Sequence, residues 1–270
     1  MLTKRQTLRK SYKRFLNTFS FRKNASVPVY ILGEMRSGTN MLADCLDYCP
    51  RTEVFHENDD EAFHKFELIS IENTVNLVQK SKSSHVVFKC IANSSSALEL
   101  LSAHPNGRAV WIYRRYEDVV NSALRKWQFH NQYLYNVLHD EEKAAWRRKN
   151  MPHQHLQLIE HHYNRGLSDA SARALIWYVR NDLYFQQELH ANSSVWLTNY
   201  EDLVGDPEAC LSQIFSFIDL QFRPAFVKHV STKSIRKNPA PEVDEQIAEL
   251  CADMKARLDK QLSVQSQQAA

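Results

Sequence analysis

The stretch from Val27 to Leu42, VPVYILGEMRSGTNML, constrains this chain more than any other. Val27, Val29, Tyr30, Ile31 and Leu32 make a short β-rich apolar run, suited to a strand covered on both faces. Gly33 and Gly38 bracket a loop with Ser37, Thr39 and Asn40 at its exit. Small side chains there let successive backbone N–H groups converge on an anion at a helix N-terminus. The stretch therefore reads as a buried strand, a phosphate-binding turn and a helix. Its Gly-x4-Gly spacing is that of the P-loop, which ordinarily continues Lys-Ser or Lys-Thr to hold the β/γ-phosphates and magnesium. Thr39-Asn40 follows here instead, and the cation, Arg36, lies inside the loop.

A chain of 270 residues, 43% of them hydrophobic, suits one large α/β domain with a sizeable core. The net charge of +3 implies no nucleic-acid partner, but its distribution is uneven. Lys4, Arg5, Arg9, Lys10, Lys13, Arg14, Arg22 and Lys23 all precede the first acidic residue, Glu34, with Leu8, Tyr12, Phe15, Leu16, Phe19 and Phe21 between them. Residues 1–26 thus form a basic arm ahead of a domain over 27–270. The arm reads as a membrane-surface helix, a contact for an anionic polymer, a mitochondrial-type leader or a solvated segment packed loosely on the domain. No apolar run of about 18 residues predicts a membrane span. Five scattered cysteines without a CxxC pair suit a reducing compartment, hence a cytoplasmic protein with at most peripheral membrane contact.

Further along, Glu61 to Lys82 has a helical apolar stripe, and His85 to Ala92 reads as a second buried strand. Lys89 near its end is unusual, since a buried strand seldom carries a charge without a partner or ligand. Before it, RTEVFHENDD presents His56 and Glu57 after an apolar pair. Arg108 to Arg114 is a third strand running into RYEDVVNSALRKW, where Arg114 and Ser122 are spaced so that a guanidinium fork and a hydroxyl can share a dianionic phosphate. Residues 129–166 read as a helical insertion, a lid or acceptor-binding surface; its histidines have no recognised metal-ligand spacing. Leu167 to His190 is an amphipathic helix, and SVWLTNYEDL a fourth strand with Tyr200 at its end. Ser231 to Pro241 is a basic loop containing Arg236 and Lys237, and Val243 to Leu262 a final helix.

Three of these motifs, in this order, resemble those of the sulfotransferase family: Arg36-Ser37-Gly38-Thr39, Arg114 with Ser122, and Tyr200-Glu201-Asp202-Leu203 followed by Asp206-Pro207. The resemblance spans about Val27 to Pro241. It implies a three-layer α/β/α fold around a mainly parallel sheet, P-loop-like in connectivity, and sulfuryl transfer from 3'-phosphoadenylyl sulfate (PAPS), without a metal, leaving the product PAP. The acceptor would be a hydroxyl, less favourably an amine, of a glycan, lipid or small molecule.

By the same resemblance, Arg36, Ser37, Gly38, Thr39 and Asn40 hold the 5'-phosphosulfate. Arg114 and Ser122, with Arg236 and Lys237 from the basic loop, anchor the 3'-phosphate, and Tyr200 approaches the adenine. Lys89 stands where cytosolic members carry Lys-Thr-His, with Ile91 in place of the histidine, which moves the base role to Glu57 with His56 as a second candidate. Met41 replaces the adenine-stacking tryptophan, and Asn238 the glycine of an Arg-Lys-Gly closure. Two rival readings stay open: a P-loop kinase using ATP and magnesium, and a non-catalytic nucleotide- or polyanion-binding peripheral membrane protein.

Overall fold

A computed structural model describes residues 3–18, 25–164, 166–231 and 235–269; Phe19, Phe21, Arg22 and Lys23 of the arm and Thr232 to Ser234 of the basic loop lie outside them. In chain order the elements begin with α1 (Lys4–Thr18), β1 (Val27–Gly33), α2 (Thr39–Asp47) and β2 (Thr52–Phe55). A small ribbon of β3 (Phe63–His64) and β4 (Glu67–Leu68) precedes α3 (Ile71–Lys80), β5 (His85–Lys89), α4 (Ala97–Ala103), β6 (Arg108–Tyr113) and α5 (Tyr116–Leu124). Three short helices follow, α6 (His130–His139), α7 (Glu141–Ala144) and α8 (His153–His162). The long α9 (Asp169–Gln186), β7 (Val195–Asn199), α10 (Tyr200–Gly205), α11 (Pro207–Phe217) and α12 (Glu245–Ala269) complete the chain.

The five main strands are all parallel, in the order β2-β5-β1-β6-β7. Alternate residues of each strand feed two cores. Tyr30, Leu32, Phe88 and Trp111 pack with Leu175 and Ile176 of α9 and Met254 of α12, whereas Val29, Ile31, Val87 and Ile112 pack with Leu42, Leu46 and Phe215 of α2 and α11. The result is the expected three-layer α/β/α arrangement. From β1 the chain first goes to the edge strand β2 and back in to β5 on one side, and later adds β6 and β7 on the other. Such a reversal opens a crevice at the carboxyl ends of the strands, where ligands bind in open α/β sheets.

Two elements differ from the sequence reading. The helix expected from Glu61 to Lys82 begins only at Ile71, because Lys65 and Phe66 take positive φ values of 47° and 73° in the turn of the ribbon and Ser70 caps the helix by accepting from Asn73 N–H. The edge strand β2 is an addition; its charged Glu53 is accommodated by Arg14 (2.6 Å) and the Ser81 hydroxyl (2.6 Å).

The described part of the basic arm is not a loosely solvated leader. Helix α1 docks by its charged face: Arg9 and Lys13 bind Asp47 (2.6 and 2.8 Å), Lys10 binds Asp59 and Glu61 (2.5 and 2.9 Å), and Arg14 binds Glu53 and Glu61. Its opposite face exposes Leu8, Tyr12, Phe15 and Leu16, so the usual amphipathic orientation is inverted. No described helix is long and apolar enough to cross a membrane.

Candidate active site

The site is assembled at the carboxyl ends of β2, β5, β1, β6 and β7, which deliver Glu57, Lys89, the Glu34–Gly38 loop, Arg114 and Tyr200 in turn. The loop's shape depends on its two glycines. Gly33 has φ 125° beside the β6 backbone, where a Cβ would lie 2.3 Å from the Ile112 carbonyl oxygen; Gly38 has φ 93°, and a Cβ there would meet the Tyr200 ring at 2.2 Å. Both are conformations in which side chains are strained. Gly38 precedes α2 and no side chain caps that helix, so its first-turn N–H groups face the loop. The Ser37 hydroxyl is fully buried and has no hydrogen-bond partner among the described residues.

Beneath the loop, Glu34 is almost fully buried and shared by two arginines of α9: Arg173 pairs with Oε1 and Arg180 with Oε2 at 3.3 Å. Arg173 also donates to the Met35 carbonyl (3.3 Å) and Arg180 to that of Ile91 (2.6 Å), tying the loop to the turn after β5. These arginines have no motif of their own. The only sequence signal was two long cations at helical spacing on an otherwise apolar face.

Two clefts flank the loop. The first, about 470 Å³, is lined by Gly38, Thr39, Asn40, Met41, Arg114, Ser122, Tyr200 and Lys237 together with Arg36, Arg125 and Asp118. Cations thus outnumber carboxylates on its wall. The Arg114 guanidinium lies 4.3 Å from the centroid of the Tyr200 ring and reaches Asp118 at 3.5 Å and Glu201 at 3.9 Å. Burial pushes the Glu201 carboxyl up from its ordinary range. Burial lowers the pKa of Arg36, and repulsion by Arg114, Arg125 and Arg173 adds to the effect. Arg36 has φ 70° and donates from Nε to the Ser122 hydroxyl at 2.9 Å.

The second cleft is about 640 Å³ and is lined on the sheet side by Arg36, Thr39, Asn40, Glu57, Lys89 and Ile91. Its other wall comes from the segment after α5 through the 3-10 turn that follows α7: Trp127, Phe129, Tyr133, Trp146 and Arg147. The 129–166 segment therefore forms part of the wall beside the loop, through Phe129, Tyr133 and Trp146, aromatic residues that sequence reasoning did not single out. Lys89 and Glu57 form an ion pair on the floor, with the lysine nearly buried. His56 is buried and lines neither cleft, and burial lowers its pKa.

The basic loop divides. Lys237 lines the first cleft, whereas the Arg236 side chain lines a separate polar pocket with Arg115 and Asp259. Only the Arg236 backbone N–H reaches toward the first cleft, at Asp118 Oδ2 (3.3 Å). In the insertion, His155 is buried and bonded to Asp182 (2.8 Å). Among the described residues no group of three or more His, Cys, Asp or Glu side chains is placed to hold a metal.

A family model described as the sulfotransferase domain matches residues 27–265. Among solved structures the chain is similar to the sulfotransferase domain from the curacin biosynthetic pathway, at 13% identity and a TM-score of 0.51, over 88% of this chain and 99% of that one. It is also similar to sulfotransferase STF9 from Mycobacterium avium, at 11% identity and a TM-score of 0.50, over 94% and 81% of the two chains. At such identities the likeness is one of fold. No curated protein matches the sequence.

Proposed function

The chain belongs to the sulfotransferase family, and from that premise we propose that this enzyme transfers a sulfuryl group from PAPS to an acceptor hydroxyl, less favourably an amine. The observation that carries the reading is the meeting of the two clefts at Arg36, Thr39 and Asn40, which line both. A donor bound in the cationic cleft and an acceptor bound beside Glu57 and Lys89 would face each other there. The residues fit such a donor: a buried Ser37 hydroxyl without a partner, an uncapped helix start and a surplus of cations are all features that favour a bound phosphate.

When bound, the donor supplies a sulfuryl group activated by its attachment to a phosphate. Arg36, Ser37 and the loop N–H groups hold the 5'-phosphosulfate, and Arg114, Ser122 and Lys237 take the 3'-phosphate. Glu57 accepts the proton of the acceptor hydroxyl as its oxygen attacks sulfur. Lys89, already paired with Glu57, stabilises the charge that develops on the bridging oxygen as the bond from sulfur to that oxygen breaks. PAP leaves with the electron pair of that bond, and its phosphate, a weak base, needs electrostatic help rather than a general acid.

The test is a comparison of nucleotides. PAP at about one hundred times its Kd should stabilise the fold by about 2.7 kcal/mol, a rise in Tm of roughly 5–11 °C, and ATP with magnesium should give far less. Equal stabilisation by the two, or preference for ATP, would replace this reading with the kinase. A cytoplasmic setting agrees with five free thiols. The exposed stripe of Leu8, Tyr12, Phe15 and Leu16 supports a peripheral membrane contact made by apolar insertion.

A further inference from the structure

The acceptor side of the second cleft carries more positive charge than the proposed chemistry uses. Its lining includes Arg36, Lys89, Lys126, Lys143, Arg147 and Arg173, against the single carboxylate of Glu57. Lys89 is committed to Glu57, Arg173 to Glu34 and Lys143 to Asp140, and Arg36 faces the donor loop. Arg147 and Lys126 remain, with no ion-pair partner among the described residues. Lys126 is exposed and lies 5.0 Å from the centroid of the Trp127 ring.

Arg147 is held in a built position. The chain breaks after α7, where Ala145 takes φ 49°, and continues through a single turn of 3-10 helix, Ala145–Arg147. The next residue, Arg148, is pinned to Glu141 (3.0 Å) and to the carbonyls of Val137 (2.6 Å) and Leu138 (3.1 Å). Arg147 instead lines the cleft, its guanidinium 4.9 Å from the Tyr133 centroid and 4.8 Å from that of Trp146. Its Nε is buried and has no hydrogen-bond partner among the described residues. Aromatic faces hold the guanidinium plane without consuming its N–H donors, which is the arrangement that leaves a fork available for a bidentate anion.

We infer that Arg147, supported by Lys126, selects an acceptor that carries an acidic group as well as the hydroxyl to be sulfated. The aromatic wall of Trp127, Tyr133 and Trp146 adds a flat apolar or ring-bearing body to that description. The hydroxyl lies at Glu57, on the sheet-side wall, and the acid on the insertion wall opposite. The inference rests on the reading of this cleft as the acceptor site.

Two matched pairs of probes test it and distinguish an acidic sugar from an aromatic acid: methylumbelliferyl glucuronide against the glucoside, and para-hydroxyphenylacetate against its primary amide. Binding is followed by calorimetry without donor, and turnover with PAPS. The acid of at least one pair should bind about tenfold to a hundredfold more tightly than its neutral partner, as expected of a charge-assisted bidentate contact. Arg147→Gln should erase that ratio by weakening binding of the acid and raising its KM, with stabilisation by PAP retained; Arg147→Lys should restore part of it. No preference in either pair, or a ratio that survives Arg147→Gln, overturns the inference. Because the ratio is read without donor, failure of PAP to bind would remove the donor reading and leave this one standing.

Discussion

Replacing Glu34 by glutamine tests the part of the site on which loop geometry rests. Its carboxylate is 1% exposed, and Arg173 and Arg180 are each 2% exposed. The substitution keeps shape but leaves two guanidinium groups beside a neutral amide. Removing one member of a buried ion pair costs about 3–5 kcal/mol, because the remaining charge stays desolvated. Here the amide oxygen still accepts one bond, which keeps the loss near about 3 kcal/mol. For a domain of this size that lowers Tm by roughly 6–12 °C. Calorimetry of Glu34→Gln, Arg180→Met and the double variant would separate charge from packing. If the uncompensated cations cause the loss, the double variant is less damaged than the sum of the singles, with a coupling of about 1–3 kcal/mol. Additive effects, or a Glu34→Gln loss under about 1 kcal/mol, would refute the argument. Because Arg173 also holds the Met35 carbonyl next to Arg36, PAP affinity should fall with stability in Glu34→Gln.

Glu57→Gln should lower kcat by about 10²–10⁴ while sparing PAP binding, and His56→Ala should not; the reverse pattern in steady-state assays would make the imidazole the base. Burial pushes the Glu61 carboxyl up, but hydrogen bonds from Arg14 and Lys10 outweigh it and hold it down at about 2, below its ordinary 4.5. The docking of α1 that depends on Glu61 is therefore complete above about pH 4.5 and is lost as pH falls toward 2, so hydrogen exchange should show α1 amides losing protection in that window. Protection factors of the α1 amides that stay constant across that window would assign the docking to other contacts. Vesicle binding by α1, if the exposed stripe carries it, should fall on Leu8→Ser with Tyr12→Ser and respond little to salt. A steep salt dependence in co-sedimentation would mean that undocked cations do the binding.

The carboxyl-end geography of the site was legible because it is written locally. A strand that runs straight into Gly-x4-Gly, a buried strand ending in Lys89, and a third ending in Arg114 each announce a strand terminus with its chemistry attached. What escaped was non-local. Strand β2 is four residues long and carries Glu53, so its pattern alone resembled a loop; the partners that make the charge tolerable, Arg14 and Ser81, lie 39 and 28 positions away. The basic arm looked like a free electrostatic segment because the acids that receive it, Asp47, Glu53, Asp59 and Glu61, come after Glu34 and are not visible as partners until the chain folds. The early break of the helix expected from Glu61 had a similar origin: the turn at Lys65 and Phe66 violates local preference, and closure of the ribbon through Phe63 and Leu68 stabilises it.

The position of the loop cation follows from the same geometry. A lysine placed just after Gly38 would project from the first turn of α2, where Thr39 now stands, and would meet only what lies in front of the helix. Arg36 sits two residues before that glycine, and its left-handed backbone, φ 70°, orients the side chain across the opening of the loop to Ser122 on α5. One guanidinium thereby borders both clefts and touches a side chain from the second phosphate motif. Burial and three neighbouring arginines disfavour its charged form, so an anion entering either cleft gains the relief of that repulsion as well as its own contacts. Loss of Arg36 should accordingly weaken donor binding and turnover together, whereas loss of Lys237 should weaken donor binding alone. A variant of Arg36 that lost turnover at unchanged PAP affinity would confine the residue to the sulfuryl end of the donor.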